Sequence, residues 1–283
     1  MKAPKSFDLV DVFGSGVFSG NPVAVVGGGE GMEESLLQRA AQWLNLSETT
    51  FLYEPLHPEA DYRLRIFTLE RELPFAGHPT LGSCHAWLAA GGQPKRAGHV
   101  VQECGAGVVT LRRSNGMLAF EAPPLIRSGD VDSADLAEVA AFLQLDLGQI
   151  VDAGWVDNGP GWVAVMLASA REVLAIEPLA RYHRRMDVGV VGAHAPGGEA
   201  AFEVRALFTD HHGNVVEDPV TGSLNASLAQ WLYSTARVSG PYIAAQGTRL
   251  GRRGRVFIER DEDQKVWVGG RTRTMFTGTV IDW

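Results

Sequence analysis

Apolar and polar residues alternate along several short stretches of the chain, which is the period-2 pattern of β-strands. In the first half this pattern predicts strands over residues 6–13, 22–26, 47–53, 62–69, 98–102, 107–112 and 117–121. Helical spacing is rarer: residues 33–46 place Leu36, Leu37, Ala40, Ala41 and Leu44 on one face. The pattern therefore predicts a strand-rich α+β protein with few helices.

One predicted helix differs from the others because it has no polar face. Residues 79–90 (PTLGSCHAWLAA) are apolar on every side, and Gly91-Gly92 ends the run. A helix that is apolar all round is expected inside a domain. A second such helix is predicted at residues 223–233, within the sequence EDPVTGSLNASLAQWL.

The two buried helices point to an internal duplication. Aligning Pro79 with Pro219, an offset of 140 residues, also pairs Gly82 with Gly222 and Ser83 with Ser223. At the same offset VAVV (23–26) matches VAVM (163–166), and RIFT (65–68) resembles RALFT (205–209) with one residue inserted. We therefore expect two related halves, each a set of short strands around one apolar helix.

A Pro- and Gly-bearing connector follows residue 121 and marks a domain boundary near residue 127. The predicted domains are residues 1–126 and 127–270, and the C-terminal strand, 271–283, is compatible with a place in either. A site to which both halves contribute would lie in the cleft between them, where small-molecule pockets are common.

Composition narrows the class of partner. The 283 residues are 45% hydrophobic and 20% charged, with a net charge of −8 and no basic cluster, which argues against nucleic acid. No apolar run could span a bilayer and the N-terminus does not resemble a signal peptide, so we expect a cytoplasmic protein without membrane partners. Cys84 and Cys104 are expected to be reduced thiols rather than a disulfide or metal site.

The two glycine- and serine-bearing turns are candidates for ligand binding. A helix N-terminus offers unpaired N–H groups and a positive dipole end, and small residues let an anion approach. Gly77 and Thr80 in one turn, with Gly222 and Ser223 in the other, are therefore predicted to hold a small carboxylate-bearing substrate. The structural alternative is that such turns only begin buried helices.

Three side chains are candidates for proton transfer. His78 and Asp218 each precede the proline of a turn, and an imidazole with a carboxylate suits acid–base chemistry near neutral pH. Glu48 stands at a strand start among apolar residues, where partial desolvation would raise its pKa toward that of a general base. Read alone, His78 and Asp218 are equally compatible with helix caps, and Glu48 with a solvated helix end.

The motifs FSGNPVAVV (18–26), NLSETTFLY (45–53), ELPFAGHPTLG (72–82), EDPVTGS (217–223) and QGTRLGRRGRV (246–256) occur in this order over nearly the whole chain. Together they resemble the PhzF-like family of phenazine biosynthesis, a relative of diaminopimelate epimerase. The resemblance implies two pseudo-symmetric domains, each a strand-rich barrel around a central buried helix, and a homodimer.

The resemblance also implies roles for single residues. Glu48 matches the glutamate of the family's S-E-T motif, its proposed general base, His78 the histidine of G-H-P-T, and Asp218 and Ser223 the acid and serine of D-P-V-T-G-S. In the phenazine enzyme these residues support an isomerisation without a cofactor. The epimerase relatives use two cysteines at these turns, which this chain lacks there. Leu69 stands where many members have proline.

These observations predict a cofactor-independent isomerase that acts on a small carboxylate-bearing metabolite and binds no metal. Glu48 would move the proton, His78 and Asp218 would orient the substrate, and Ser223 would hold its carboxylate. Two alternatives stay open: a racemase or epimerase of an amino-acid-like substrate, and a non-catalytic metabolite-binding protein.

Overall fold

Strand-forming stretches alternate with a few amphipathic or apolar helices, and they fold into a mixed α and β protein. The computed structural model describes residues 5–114 and 116–281. The chain divides into two compact units: unit 1 comprises the residues up to Glu121 together with those from Gly269 onward, and unit 2 is Ala122–Val268. Of the predicted C-terminal strand, residues 282 and 283 lie outside the described residues.

The described part of unit 1 consists mainly of strands, with two helices, one of which is mostly buried. Its elements are β1 (Lys5–Val12), β2 (Asn21–Val26), α1 (Glu34–Leu44), β3 (Thr49–Tyr53), β4 (Tyr62–Phe67), β5 (Glu72–Leu73), α2 (Gly77–Ala89), β6 (His99–Cys104), β7 (Gly107–Ser114), β8 (Met117–Glu121) and β18 (Thr272–Val280). Strand β1 pairs antiparallel with β2 and with β18. The pairings β2–β3 and β4–β6 are parallel, whereas β3–β4, β4–β5, β6–β7 and β7–β8 are antiparallel.

The elements of unit 2 are β9 (Arg127–Asp130), α3 (Ser133–Leu143), β10 (Asp152–Asp157), β11 (Val163–Leu167), α4 (Ala170–Ala175), β12 (Asp187–Ala193), β13 (Phe202–Thr209), β14 (Val215–Asp218), α5 (Gly222–Ser234), β15 (Tyr242–Gln246), β16 (Gly254–Arg260) and β17 (Val266–Gly270), whose last residues belong to unit 1. The elements from β10 to β17 follow the same order of strands and helices as those from β1 to β8, and a strand and a helix precede them. The pairings β11–β12 and β13–β15 are parallel, and β12–β13, β13–β14 and β15–β16 are antiparallel. Short 3-10 helices lie at Leu147–Gln149 and Thr248–Leu250.

Each unit buries one apolar helix, and a glycine permits its close approach to a strand. A Cβ at Gly82 of α2 would lie 2.3 Å from Val23 Cγ1 on β2. In unit 2 the glycine is on the strand instead, because a Cβ at Gly189 of β12 would lie 2.2 Å from Leu224 Cδ1 on α5. Atoms cannot approach so closely, so both contacts require glycine.

The structure corrects the predicted alignment of the two halves. Helices α2 and α5 both have 13 residues and begin at Gly77 and Gly222. The preceding strand places Glu72 opposite Phe67 in unit 1 and Glu217 opposite Leu207 in unit 2. The matching sequences are therefore ELPFAG (72–77) and EDPVTG (217–222), an E-x-P-x-x-G pattern at an offset of 145 residues. The predicted pairing of Pro79 with Pro219 was wrong by five residues.

Two local predictions also change. The buried helix of the first half was predicted to begin at Pro79, but α2 begins at Gly77, so the predicted turn before it belongs to the helix. The sequence SADLAEVAAFLQL (133–145) predicts a helix with Ser133 as its N-cap. In the structure Asp132 is the N-cap of α3, and its side chain accepts a hydrogen bond from Asp135 N. Asp and Ser are comparable capping residues, so two neighbouring candidates cannot be separated by type alone.

Candidate active site

Glu48 and His78 meet in unit 1, although thirty positions of sequence separate them. Glu48 immediately precedes β3, and His78 is the second residue of α2. His78 Nε2 lies 3.5 Å from Glu48 Oε2, and the two side chains are 5% and 16% exposed. This distance is longer than that of a well-formed hydrogen bond, so the two groups are neighbours with room to approach or to share a ligand.

The imidazole of His78 is neutral at physiological pH. Burial lowers its pKa to about 3, although a hydrogen bond with the backbone of Pro22 acts in the opposite direction. On its other side, His78 Nδ1 lies 3.4 Å from Asn21 Nδ2, and Asn21 begins β2. The contact with Glu48 therefore joins a carboxyl group to a neutral ring rather than to an imidazolium.

Other polar side chains of α2 belong to the interior of unit 1. Thr80 is fully buried and its hydroxyl accepts a hydrogen bond from Gln102 Nε2 at 3.1 Å. Ser83 Oγ lies 2.8 Å from Thr50 Oγ1 on β3. These contacts fix the helix against the strands, and Thr80 is the fourth residue of α2.

In unit 2, the segment that leads into α5 is held by its own hydrogen bonds. Thr221 Oγ1 donates to Asp218 Oδ2 at 2.6 Å. The fully buried Gln246 accepts from Thr221 N and Asn225 Nδ2 through Oε1, and its Nε2 donates to the carbonyl oxygen of Asp218. One glutamine thus fixes both the strand end and the helix start, so the position of Asp218 is defined by the fold.

Ser223, the second residue of α5, is also held in place. Trp162 Nε1 donates to Ser223 Oγ at 3.2 Å, and Asn158 Nδ2 donates to the Ser223 carbonyl oxygen at 2.9 Å. Because the serine oxygen accepts from Trp162, its O–H can donate to another group. Sequence reasoning missed Trp162, Asn158 and Gln246, since nothing in their spacing links them to Ser223.

Sequence reasoning placed His78 and Asp218 at equivalent positions, but the structure does not. By the E-x-P-x-x-G pattern, His78 corresponds to Ser223, and Asp218 corresponds to Leu73. The two copies therefore carry different functional side chains at two positions rather than at one. His78 and Ser223 each occupy the second position of a buried helix.

The two helix starts differ as anion sites. Three amides in the first turn of an α-helix have no acceptor within the helix. In α2 the third of these positions is Pro79, which has no N–H, so only Gly77 and His78 have an amide to donate. In α5 all three positions, Gly222 to Leu224, have one. Helix α5 is the better equipped of the two for a carboxylate.

In each unit, an Arg–Glu pair with two hydrogen bonds connects the strand before the buried helix to its neighbouring strand. In unit 1, Arg65 Nε and Nη2 donate to the two oxygens of Glu72 at 2.8 and 2.6 Å. In unit 2, Arg205 donates in the same way to Glu217 at 3.1 and 2.7 Å. Glu72, which the sequence left without a role, thus anchors the short strand that precedes His78.

Within residues 5–114 and 116–281, no group of three or more His, Cys, Asp or Glu side chains is arranged to hold a metal ion. Burial raises the pKa of the Cys84 thiol to about 12, so this thiol is neither a thiolate nor a proton acceptor at neutral pH. No helix in the described part of the chain is long and apolar enough to cross a membrane.

Comparison with known proteins identifies relatives in sequence and in fold. The family model of the phenazine biosynthesis-like proteins, PhzC-PhzF, matches residues 10–278. In fold, the chain is similar to the crystal structure of a phenazine biosynthesis PhzF family protein from Enterococcus faecalis. The TM-score is 0.79 at 24% identity, covering 98% of this chain and 99% of that one.

Curated relatives match at higher identity. Antisense-enhancing sequence 1 of Schizosaccharomyces pombe is 33% identical, over 96% of this chain and 97% of that protein. The trans-2,3-dihydro-3-hydroxyanthranilate isomerase of Pseudomonas aeruginosa is 33% identical, over 89% of each chain. Other curated relatives are likewise named isomerases. With a family model that spans the site residues of both units, this chain belongs to the PhzC-PhzF family of phenazine biosynthesis-like proteins.

Proposed function

We propose that this protein is an isomerase that moves a proton between two carbons of a small carboxylate-bearing metabolite without a cofactor. The observation that carries the proposal is the meeting of Glu48 with a buried, neutral His78 at the start of α2. Proton transfer at carbon needs a positioned base that can also return the proton, and a carboxyl group beside a neutral hydrogen-bonding group suits this task.

In this proposal Glu48 is the base. Its carboxyl group is shielded from water but reaches His78, so a bound substrate would face a carboxylate with few competing solvent contacts. The same carboxyl group, once protonated, returns the proton to the second carbon while the double bond shifts. No proton is gained or lost overall, and the substrate and product are isomers.

His78 acts as a neutral hydrogen-bonding group in the proposal. Since burial keeps its pKa near 3, the ring does not compete for the proton that Glu48 removes. A neutral imidazole carries one N–H donor and one acceptor, which suits an amino or hydroxyl group of the substrate. Asn21, which contacts Nδ1, helps to fix the ring orientation.

The carboxylate of the substrate is assigned to the start of α5. The Ser223 hydroxyl and the first-turn amides of α5 are donors of the kind that bind an anion, and Trp162 orients the hydroxyl. Asp218 is assigned to a polar, proton-bearing group of the substrate. Gly77 and Gly222 admit close approach of the ligand to the backbone.

The name of a relative suggests the first substrate to test. The Pseudomonas aeruginosa relative is named for trans-2,3-dihydro-3-hydroxyanthranilate, a ring compound with amino, hydroxyl and carboxylate groups. We propose this compound as the first to be tested. We also propose that the two units descend from one duplicated unit with a central helix, and that the protein works as a cytoplasmic homodimer.

The test combines turnover with the fate of hydrogen. Purified protein, dialysed against a chelator, is incubated with trans-2,3-dihydro-3-hydroxyanthranilate in D2O, and NMR identifies each carbon that acquires deuterium. We expect a shifted double bond and deuterium at a new carbon. Glu48→Gln should lower kcat about a hundredfold or more, because the base is lost. Exposed Glu54, six residues away, supplies the control Glu54→Gln, which should leave kcat unchanged.

Other results would favour a different function. Deuterium at the original carbon with inverted configuration would indicate an epimerase, and the neutral, buried Cys84 already argues against one that uses this thiol as base. Binding without exchange at any carbon would indicate a metabolite-binding protein. Full activity of Glu48→Gln would remove Glu48 from the base role.

A further inference from the structure

A cavity lined by apolar and charged side chains lies in unit 2, outside the residues assigned to proton transfer. Its volume is about 560 Å³, within the range of small-molecule sites. The loop between β12 and β13 and the segment after β15 form its walls, which include His194, Glu203, Thr248 and Arg255. Aliphatic surface comes from Leu174, Ala195, Pro196, Ala200 and Ala245.

Glu203 is the unusual residue of this cavity. It lies on β13 between Phe202 and Val204, and its side chain is only 2% exposed. Its Oε2 lies 3.1 Å from His194 Nε2, and the Thr248 side chain is near enough to lower the pKa of the carboxyl group. By distance and angle, Oε1 has no hydrogen-bond partner among the residues that the structure describes. A buried carboxylate oxygen without a donor is costly, so a charge at this position needs a reason other than packing.

Arg255 of the cavity wall acts on Glu203 through its charge and lowers the pKa of this carboxyl group, against the larger effect of burial. Arg255 donates through Nε to Glu199 Oε2 at 2.9 Å, so its charge is already shared with a second carboxylate. Apart from His194, the walls carry two carboxylates, Glu199 and Glu203, and one guanidinium, Arg255. This balance repels an anion and attracts a cation. Burial also raises the pKa of Glu203, and an opposite charge nearby would stabilise its ionised form.

We propose that this cavity binds a small organic ammonium ion, with Glu203 as its counter-ion and His194 as a second polar contact. The aliphatic walls would cover the carbon chain of such a ligand, and the ammonium N–H groups would supply the donors that the carboxylate lacks. The loop residues Pro196 to Gly198, between β12 and β13, line part of this cavity.

The site is separate from the proposed proton-transfer residues but is connected to them through one segment. Gln246, which holds Asp218 and Thr221, is two residues before Thr248 in the cavity wall. Gly247 between them has a φ of +88°, and a Cβ there would lie 2.6 Å from the Pro219 carbonyl oxygen. Because none of the residues assigned to proton transfer lines this cavity, the binding of a cation can be measured without any substrate of the proposed isomerase.

The experiment is a titration of the whole protein with n-butylammonium, followed by NMR of alanine methyl groups. We expect saturable shifts at Ala200 and Ala245. Butyrate and butanol are matched ligands of similar size, and neither should produce saturation at these methyl groups. Glu203→Gln should weaken butylammonium binding about thirtyfold or more, as for loss of a buried charge partner.

The control variant is Glu172→Gln, because Glu172 lines a different cavity of unit 2. It should bind n-butylammonium like the unaltered protein. Absence of saturable shifts, equal binding of butyrate, or undiminished binding by Glu203→Gln would each overturn the proposal. The comparison of the three ligands uses the unaltered chain, so the outcome does not depend on whether Glu203→Gln folds.

Discussion

Arg205 on β13 donates hydrogen bonds to both carboxylate oxygens of Glu217 on β14, and the two side chains are only 3% and 10% exposed. Arg205 also donates to the carbonyl oxygens of Val173 and Ile176 at the end of α4. The corresponding pair in unit 1, Arg65 and Glu72, is 23% and 35% exposed. The same geometry thus exists in a buried and in a more solvated form.

The two pairs should respond differently to neutralisation. Glu217→Gln leaves the Arg205 charge buried without its partner and should lower the free energy of unfolding by about 3 kcal/mol. Glu72→Gln should lower it by less than about 1 kcal/mol, because water can solvate Arg65. Urea unfolding of both variants beside the unaltered protein measures the difference. Equal losses would show that burial does not set the strength of these pairs.

His78 should make stability depend on pH. Its folded-state pKa of about 3 lies below the ordinary 6.5, so the unfolded chain binds more protons between these values. The contribution of His78 to the free energy of unfolding is therefore at its highest above pH 6.5, and it falls as the pH falls toward 3. The free energy of unfolding should decrease by up to about 1.4 kcal/mol per pH unit in this window.

Replacement of the ring tests this origin. In His78→Gln the part of the pH dependence that His78 contributes should disappear, so the two unfolding curves should converge as the pH falls. The control is His57→Gln, at an exposed histidine of the same unit, which should keep the slope of the unaltered protein. An unchanged slope in His78→Gln would assign the pH dependence to other groups.

Gly82→Ala should be strongly destabilising. The new methyl group would lie 2.3 Å from Val23 Cγ1 and 3.1 Å from Val12 Cγ2, so α2 must move away from β1 and β2. We expect a loss of about 1–3 kcal/mol, measured by thermal or urea unfolding. Gly148→Ala is the matched control, because nothing lies within 4 Å of a Cβ there. A neutral Gly82→Ala would show that the helix can shift at little cost.

Ser223→Ala should weaken binding of the carboxylate-bearing substrate more than it slows the chemical step. Loss of a hydrogen bond to a charged group is expected to raise KM about tenfold, with a small effect on kcat. Ser227→Ala removes a hydroxyl of the same helix that only donates to the Leu224 carbonyl oxygen, and it should leave KM unchanged. A fall in kcat without a change in KM would contradict the assignment.

Local patterns predicted much of the fold. Helix α1 buries Leu37 and Ala41 of the predicted apolar face, and β11 (Val163–Leu167) contains the predicted VAVM strand. Helix α2 begins two residues before the predicted Pro79, which occupies its first turn. Strand β12 (Asp187–Ala193) was not predicted, because its continuous apolar run lacks alternation, as is usual for strands buried on both faces.

The candidate site was harder to predict in its details. Chain positions could suggest Glu48 and His78, but their proximity depends on how β3 and α2 pack. The shared Pro and Gly residues led to a wrong alignment because HPTLGS and DPVTGS share three identical residues, as many as ELPFAG and EDPVTG do. Only strand register separates the two alignments, since register is defined by hydrogen bonds between distant residues.

The E-x-P-x-x-G segment occurs twice in the chain, so the residues of its two occurrences can be compared directly. Both copies keep the glutamate, proline and glycine that fix the backbone, whereas Leu73 and Asp218 differ, as do His78 and Ser223. Exchanging those residues between copies would therefore alter chemistry on an unchanged frame. If one ancestral segment gave rise to both, the two segments kept the residues that fix the backbone and diverged at the positions whose side chains are assigned to the substrate.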